Sequence, residues 1–254
     1  MDFRDSEAEA AFRSRLSRWL ADNIPERWGT AAWVEPQGEE RLGFYRGWSR
    51  KLYDAGFIGL TWPKRYGGHE APVSFQAILL EELARVEAPE HLGVIGMGMA
   101  GPTILAHGTE EQKDRFLRNI LTGEEVWCQG FSEPDAGSDL ASLRTRAVAD
   151  GDDWVVTGQK VWSSFAHVAD RCILVARSED TGRKHEGLTY FLMDMHAPGV
   201  ETRPLRQMTG DAEFNEIFMD GVRIPGDMVV GEPGQGWMVA ITTLMNERAN
   251  LGSR

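Results

Sequence analysis

The chain has 254 residues, of which 42% are hydrophobic and 26% charged, and its formal net charge is −12. This length allows one large domain or two ordinary ones, and the composition is that of a globular protein. The acidic balance argues against a nucleic-acid partner. The longest nearly apolar stretch, residues 92–105, contains four glycines and a proline. It is too short to span a bilayer, so we expect no membrane insertion.

The N-terminus and the cysteines bear on the cellular compartment. The first ten residues, MDFRDSEAEA, are acidic and show no signal-peptide or transit-peptide pattern, so we expect a cytoplasmic protein. Cys128 and Cys172 are the only cysteines, and both lie in strand-like apolar surroundings. That setting favours buried free thiols. No Cys or His spacing typical of a metal site occurs, so we expect no metal.

Helical periodicity dominates the first half of the chain. Ser6 with Glu9, and Thr109 with Gln112, have the spacing of capping boxes at helix N-termini. A helix of small residues is predicted over Gly93–Ala106, and the Gly- and Trp-rich residues 56–68 predict an ordered loop. The stripes that predict three further amphipathic helices are Phe12, Leu16, Trp19 and Leu20; Leu42, Tyr45, Trp48 and Leu52; and Phe75, Ile78, Leu79, Leu83 and Val86.

After Gly123 the apolar pattern alternates with a period of two, which predicts strands. Turn signals separate them, notably 150–152 and Asp220-Gly221. So many short strands favour an antiparallel β-barrel or sandwich. The predicted strands are Val126–Phe131, Leu143–Ala149, Trp154–Val156, Cys172–Ala176, Leu188–Met193, Glu201–Leu205 and Phe214–Phe218.

The pattern becomes helical again from Gln235. The broad apolar face of this last helix needs a partner, which is the first half of the chain, further chain or another subunit. The fold class is therefore α+β, an all-α domain before a β domain and then a helix. We predict an N-terminal helical domain over 1–122, a middle β domain over 123–232, and the start of a C-terminal helical domain over 233–254.

Four segments concentrate polar and aromatic residues. Residues 127–139 form a strand and a turn that is either an anion-binding nest or an ordinary capped turn. In residues 157–164, Trp162 is either a wall for a planar cofactor or a core residue. Polar side chains crowd residues 206–218 ahead of a strand. Residues 246–248, Asn-Glu-Arg, are either a functional group on the last helix or a solvated charge pair.

Together these segments resemble a known family. SEPDAGSD followed by GQKVWSS is similar to the two flavin-binding signatures of acyl-CoA dehydrogenases, whose usual forms are TEPxAGSD and GxKxWIT. The similarity extends to GLTWPKRYGG, HGTEEQKDRFL, RQMTGDAEFNEIFMDGVRIP and GEPGQGW, so it covers nearly the whole chain in the family's order. Members fold as an N-terminal helical domain, a middle β domain and a C-terminal four-helix domain, with FAD between the last two.

The resemblance implies a set of site residues. Ser132 would donate towards the N5/O4 side of the flavin, Trp162 would flank one side of the isoalloxazine, and Ser164 would hydrogen-bond near N5. Ser138 would also contact the pantetheine or phosphate region of the substrate. The anionic coenzyme A needs cations as well, and Arg248, Arg144, Arg183 and Lys184 are the open candidates. The residues implied to bind FAD are Gln129, Phe131, Ser132, Gly137, Ser138, Trp162, Ser163 and Ser164.

The implied chemistry is α,β-dehydrogenation of an acyl-CoA. A carboxylate removes the α-proton while the β-hydride passes to the flavin, and an electron-transfer flavoprotein receives the electrons. A homo- or hetero-oligomer, dimeric or tetrameric, is implied. The family fold leaves two alternatives: a non-catalytic subunit or fragment of a heteromeric dehydrogenase, and an acyl-CoA oxidase or flavin monooxygenase.

The resemblance leaves two positions open for the catalytic base. In most members the glutamate lies in the C-terminal helical domain, which would place it beyond residue 254. In a minority it lies on the first helix of that domain, where Glu247 falls in this sequence. Ser and Phe also replace the usual residues around the second signature, although Ser164 keeps the hydroxyl. Small residues on 93–101 leave open either a roomy acyl site or close helix packing.

Overall fold

In the computed structural model, residues 4–89 and 91–251 are described. The chain divides into two compact units. The first comprises Met1–Leu92, Leu121–Glu124 and Ala249–Arg254, and the second comprises Gly93–Ile120 and Glu125–Arg248. The domain division inferred from the sequence, whose outer ends lie outside the described residues, stays a prediction.

The first unit contains helices α1 (Glu7–Asn23), α2 (Gly38–Asp54) and α3 (Val73–Arg85). The capping box predicted for α1 is confirmed, because the Glu9 amide donates to Ser6 Oγ and the Ser6 amide donates to Glu9 Oε2 at 2.8 Å. The predicted stripes supply the core of this unit. Its buried side chains include Phe12, Leu16 and Leu20 of α1, Trp48 and Leu52 of α2, and Ile78 and Leu79 of α3.

The loop after α2 is ordered, as predicted. Gly67 has φ +93°, a left-handed conformation that glycine adopts without strain. At Gly68, a Cβ atom would lie 2.2 Å from the Trp62 carbonyl oxygen, so the backbone closes here only without a side chain. The glycines therefore shape a tight loop, rather than a flexible linker.

Two helical segments of the second unit precede its sheet. The predicted helix of small residues forms, but as a π-helical turn, Gly96–Ala100, that runs into α4 (Gly101–His107). Helix α5 (Glu110–Thr122) begins at the predicted capping box, where the Gln112 amide donates to Thr109 Oγ1 at 3.2 Å. A Cβ at Gly96 would lie 3.1 Å from Ile120 Cγ2 of α5, which shows close helix packing at this position.

A single sheet follows, with seven strands in the described residues and the order β1-β4-β2-β3-β7-β6, while β5 pairs with β4. The strands are β1 (Trp127–Gly130), β2 (Arg146–Asp150), β3 (Asp153–Ser164), β4 (Arg171–Arg177), β5 (Leu188–Asp194), β6 (Val200–Leu205) and β7 (Phe214–Pro225). All seven coincide in part with predicted strands.

The sheet differs from the sequence expectation in three respects. It is mixed, because β1 lies parallel to β4, whereas an antiparallel barrel or sandwich was predicted. Strand β3 continues to Ser164, so the second signature segment is part of a strand. Asp220-Gly221 is not a turn but an irregularity inside β7, where Val156 pairs with Val222 and Gly158 with Met219. A glycine at φ +63° serves a bulge as well as a turn, which is why the sequence signal misled.

The core of the sheet lies on β4 and β5, whose residues are almost all buried. Cys128 of β1 is in register with Cys172 of β4, and both are buried free thiols, as predicted. Burial raises the pKa of the Cys128 thiol, and the neighbouring Cys172 adds to this effect. Both cysteines are therefore core residues.

Helix α6 (Gly236–Leu251) is the last element. One face packs within the second unit, where Thr243 Oγ1 lies 2.8 Å from Thr103 Oγ1 and 3.0 Å from the Tyr190 hydroxyl. Of the apolar face predicted for this helix, Val239 and Ala240 are buried and Met245 stays exposed, so the face is covered only in part. Among the described residues, no helix combines the length and apolar character needed to cross a membrane.

Candidate functional site

The first signature segment folds into a tight hairpin turn. The Glu133 amide donates to the Ala136 carbonyl at 2.9 Å, and the Ala136 amide donates back to the Glu133 carbonyl at 3.1 Å. Pro134 and Asp135 form the exposed tip, as expected for turn residues. The turn therefore holds Ser132 at the end of the β1 segment in a fixed backbone position.

A buried ion pair anchors this turn to β3. Lys160 is fully buried, and its Nζ lies 2.8 Å from Glu133 Oε1 and 3.0 Å from the Phe131 carbonyl oxygen. The carboxylate of Glu133 also accepts hydrogen bonds from the amides of Arg144 and Thr145, at 2.6 and 2.8 Å. Every partner of this charged pair is thus a specific group of the turn or of the segment leading to β2.

The electrostatics of the pair follow from its burial. Burial acts to raise the pKa of Glu133, but the facing Lys160 ammonium and the amide donors outweigh it, so the pKa lies below its usual value. Burial lowers the pKa of Lys160, and Glu133 counteracts this effect. Removing one partner would leave a buried charge without compensation, which is strongly destabilising. The pair is therefore a rigid anchor.

The turn and β3 are joined again next to the ion pair. The Val161 amide donates to the Ser132 carbonyl at 2.9 Å. Ser132 and Lys160 are 28 positions apart in the sequence. The hydrogen bonds nevertheless join the two signature segments into one structural element. Ser132 and Gln129 are half-buried, while the ring of Phe131 is buried edge-on against Tyr190 with 5.9 Å between ring centroids.

The rest of the first signature is open to solvent. A Cβ added to Gly137 would meet no atom within 4 Å, so the packing of the protein itself does not require glycine there. Ser138 and Asp139 are exposed. Asp139 accepts hydrogen bonds from Lys184 Nζ at 2.8 Å and Ser142 Oγ at 2.6 Å, and Lys184 lowers its pKa.

The second signature segment contains a β-bulge with unusual backbone geometry. Lys160 is in register with Ile217 and Ser163 with Asn215, so β3 has one extra residue relative to β7. Trp162, in this bulge, has φ +62°, and Phe165 just after β3 has φ +59°. Left-handed conformations of residues other than glycine cost about 1–3 kcal/mol each and cluster at functional sites. Among the described residues Arg27, Glu70 and Glu87 also adopt them, but only Trp162 and Phe165 do so within four positions of each other.

The bulge turns a large aromatic side chain outward. Trp162 is 62% exposed although it belongs to a strand, whereas most tryptophans in such positions are core residues. Beside it, Ser163 is buried, and its Oγ has no hydrogen-bond partner among the described residues. Ser164 is half-buried next to this position.

These features fit the edge and face of a flavin. The flat face of a planar ring system can lie against an aromatic side chain, and the exposed Trp162 provides one. Flavin ring atoms also accept and donate hydrogen bonds, and the hydroxyls of Ser132 and Ser164 lie in segments that are joined to each other. The open space at Gly137 is compatible with a ligand close to the backbone.

A groove lined with cations adjoins the first signature. This cavity has a volume of about 730 Å³ and lies between the segment before β2 and the loop after β4. Arg177 fixes that loop by donating to the carbonyls of Ala141 and Lys184, at 2.8 and 3.0 Å. The charged residues that line the groove are Arg144, Arg146, Arg177, Arg183, Lys184, Glu179 and Asp180. Cations exceed anions among these lining residues, and three of them pair with carboxylates beside the groove: Lys184 with Asp139, Arg183 with Glu186 and Arg144 with Asp135.

The two site residues predicted on α6 lie apart from the signature segments in the sequence. Glu247 is half-buried and Arg248 is exposed near the end of this helix. The hydrogen bonds described above link the Ser132 and Trp162 segments to each other, but not to Glu247 or Arg248. Among the described residues, no group of three His, Cys, Asp or Glu side chains is arranged to hold a metal ion.

Three residues that support the site were not identified from the sequence: Glu133, Lys160 and Asn215. The sequence does contain a signal for Lys160. It lies an even number of positions from Val156 on β3, so both side chains point to the same, inward face of the sheet. Asn215 likewise shares the buried parity of Ile217 and Met219. A polar residue at an inward strand position implies a buried partner. No comparable signal marks Glu133.

Comparison with known proteins identifies the family. The model of the acyl-CoA dehydrogenase N-terminal domain matches residues 6–124, and that of the acyl-CoA dehydrogenase middle domain matches residues 128–222. The acyl-CoA dehydrogenase IpdE1 of Mycobacterium tuberculosis is 45% identical over 239 residues, which cover 93% of this chain and 62% of that protein. The chain thus spans less than two thirds of this relative.

Solved structures agree. The Tcur3481-Tcur3483 steroid ACAD superposes with a TM-score of 0.85 at 35% identity, covering 100% of this chain and 64% of that one. The ChsE4-ChsE5 complex from Mycobacterium tuberculosis gives a TM-score of 0.82 at 34% identity, covering 97% and 61%. Both family models and these folds lead to one conclusion: the chain belongs to the acyl-CoA dehydrogenase family.

Proposed function

We propose that the protein catalyses FAD-dependent α,β-dehydrogenation of an acyl-CoA thioester. The observation that carries this proposal is the outward-facing Trp162, held in a strained bulge that is hydrogen-bonded to the anchored Ser132 turn. Membership of the family supports the same reaction. The exposed Trp162 ring, and the buried Ser163 hydroxyl that has no hydrogen-bond partner among the described residues, suit a planar cofactor with polar edge atoms.

The residues of the chain take the following roles in this proposal. Trp162 flanks the isoalloxazine ring, and the hydroxyls of Ser132 and Ser164 donate hydrogen bonds to its edge. Bound FAD supplies the acceptor for the β-hydride. The remaining proposed contacts to FAD come from Gln129, Phe131, Gly137, Ser138 and Ser163. The fixed backbone of both segments orients these groups before substrate arrives, which is the larger part of their contribution.

The α-proton of the substrate passes to a carboxylate. Glu247 is the candidate in this chain, and a carboxylate beyond residue 254 is the alternative. The electron pair of the α C–H bond then forms the new C=C bond as the β-hydrogen leaves as hydride. If Glu247 is the base, Glu247→Gln keeps FAD and binds substrate, but reduces flavin bleaching by about 10²–10⁴-fold. An unchanged rate would assign the base elsewhere.

The coenzyme A portion of the substrate fits the cationic groove. Its phosphates need cations, and Arg144, Arg183 and Lys184 line this groove. Lys184 contacts Asp139, the residue after Ser138, which contacts the pantetheine in this proposal. Arg248 on α6 is a further candidate for the substrate. Since the chain has a net charge of −12, such a local patch is needed to attract a polyanionic ligand.

The acyl group is proposed to be bulky and polycyclic. A solved structure similar to this chain is described as a steroid ACAD, and this supports a steroid-derived thioester over a straight-chain one. The direct test is anaerobic mixing with two thioesters, octanoyl-CoA and a CoA ester of a steroid side chain. We expect the flavin absorbance to bleach with the steroid thioester. Bleaching by octanoyl-CoA alone would contradict this assignment.

A second candidate is a subunit of a heteromeric dehydrogenase. It is favoured by the similarity to the ChsE4-ChsE5 complex, which has two different chains. In either case we propose that the electrons leave through an electron-transfer flavoprotein. Co-expression with neighbouring homologous genes, followed by sizing and flavin quantification, separates the two candidates. One flavin per chain in a homo-oligomer supports the first, and flavin only in a mixed assembly supports the second.

A further inference from the structure

The bulge that presents Trp162 needs something to hold it. Two residues within four positions, Trp162 and Phe165, are left-handed, and neither is glycine. Such conformations persist only where the surrounding structure imposes them. Backbone pairing alone is weak here, because the register of β3 and β7 shifts across this segment. The constraint comes from the opposite strand.

Asn215 of β7 lies opposite the bulge and is fully buried. Its Nδ2 donates to the Ser163 carbonyl at 3.0 Å and to the Glu213 carbonyl at 2.9 Å. The Glu213 carbonyl also accepts the amide of Phe165 at 2.8 Å. One side-chain amide therefore fixes the main chain between the two left-handed residues.

The acceptor side of this amide is used as well. Asn215 Oδ1 lies 3.1 Å from Nδ1 of His167, in the short turn after the bulge. Since Nδ2 is committed to two carbonyls, Oδ1 must accept, and His167 Nδ1 carries the proton. No other side chain of this size offers two donors and an acceptor in one plane. Asp would set a carboxylate against two carbonyl oxygens, and Leu would leave the Ser163 carbonyl without its donor.

We propose that Asn215 is a positioning residue for flavin binding, which holds the Trp162–Phe165 segment in the conformation that receives the isoalloxazine ring. This inference rests on the proposed function for its ligand. The geometry is independent of the proposed function, since all the contacts of Asn215 belong to the chain itself. Asn215 acts through the Ser163 carbonyl, the peptide directly after Trp162.

The test compares Asn215→Asp with a matched variant, Thr189→Val. Thr189 is equally buried in the second unit, where its hydroxyl contacts Ser178 Oγ and the Gly234 amide at 2.7 and 2.9 Å, away from the bulge. We measure the dissociation constant for FAD, the absorption spectrum of bound flavin and the thermal midpoint. Asn215→Asp should weaken FAD binding at least about tenfold, while Thr189→Val changes it less than about twofold at a similar loss of thermal stability.

Equal FAD affinity in Asn215→Asp and wild type, or equal weakening in Thr189→Val, would overturn the inference. If the buried carboxylate prevents folding, Asn215→Leu takes its place. A second readout needs no flavin: amide hydrogen exchange at Phe165 should accelerate at least about tenfold in the variant, while exchange in β5 stays unchanged. If wild type binds no FAD, the proposed function fails, and unchanged exchange at Phe165 then separately overturns the role of Asn215.

Discussion

Replacing Lys160 by methionine leaves the Glu133 carboxylate in the interior with its amide donors but without its cation. Lys160 is fully buried, and the Glu133 side chain is only 8% exposed, so water cannot replace the ammonium group. Breaking a buried ion pair by removing one partner costs about 3–5 kcal/mol of unfolding free energy. Methionine has a similar length and keeps most of the packing of the lysine stem, so the loss of unfolding free energy reflects the missing charge.

A double-mutant cycle of Lys160 and Glu133 isolates the interaction energy of this ion pair. In the double variant Glu133→Gln/Lys160→Met no charge is buried, and the glutamine oxygen can still accept from an amide of Arg144 or Thr145. We therefore expect the double variant to be more stable than Lys160→Met alone by about 1–3 kcal/mol. Lys184→Met is the matched control, because Lys184 pairs with Asp139 at 2.8 Å and both side chains are more than half exposed. It should cost less than about 1 kcal/mol.

Unfolding in urea is monitored by the hydrogen exchange of peptides from β3 and β4, so that the unfolding of the second unit is observed by itself. With a slope of about 2 kcal/mol per molar urea, the expected loss for Lys160→Met lowers the midpoint by about 1.5–2.5 M. A loss below about 1 kcal/mol, or a double variant as unstable as the sum of the two single ones, would refute the anchoring role.

Three further predictions concern charge and cofactor. Glu133 has a lowered pKa in the folded state, so its stabilising contribution is present above its unfolded pKa of about 4.3 and is lost as the pH falls through the folded value. Glu133→Gln should flatten this acid limb in pH-dependent urea unfolding; an equally steep limb would contradict the assignment. Trp162→Ala should weaken FAD binding at least about tenfold, with little change in thermal midpoint because the ring is 62% exposed; unchanged FAD affinity would remove Trp162 from the site. Arg183→Glu/Lys184→Glu should raise KM for acyl-CoA at least about tenfold at low salt, and less at high salt, with kcat nearly unchanged; a KM insensitive to the substitution would exclude the groove.

The arrangement of helices before a sheet was predictable, because it follows from local periodicity. Both capping boxes formed where the spacing of Ser6/Glu9 and Thr109/Gln112 placed them. Pairings between distant strands were not predictable, since alternation indicates a strand but not its neighbour. Hence the parallel pairing of β1 with β4 was missed. Asp220-Gly221 was misassigned because a left-handed glycine suits a turn and a bulge equally.

The site was predictable at the level of segments, since the two signatures carry it. Its supporting contacts were not, because they join residues far apart in the sequence. Lys160 and Glu133 are separated by 27 positions, and Asn215 and Ser163 by 52. A polar residue at an inward strand position shows that a partner exists, but only the fold shows which one. The left-handed backbone of Trp162 has no sequence signal, since tryptophan does not favour it.

Flavin binding and reduction are tested together by the visible absorbance of the full gene product, recorded after desalting and again after anaerobic addition of acyl-CoA. We expect the protein, alone or with a partner subunit, to retain oxidised-flavin bands that bleach with acyl-CoA. A protein that takes up no flavin from excess FAD, alone or in a mixed assembly, would refute the proposed function.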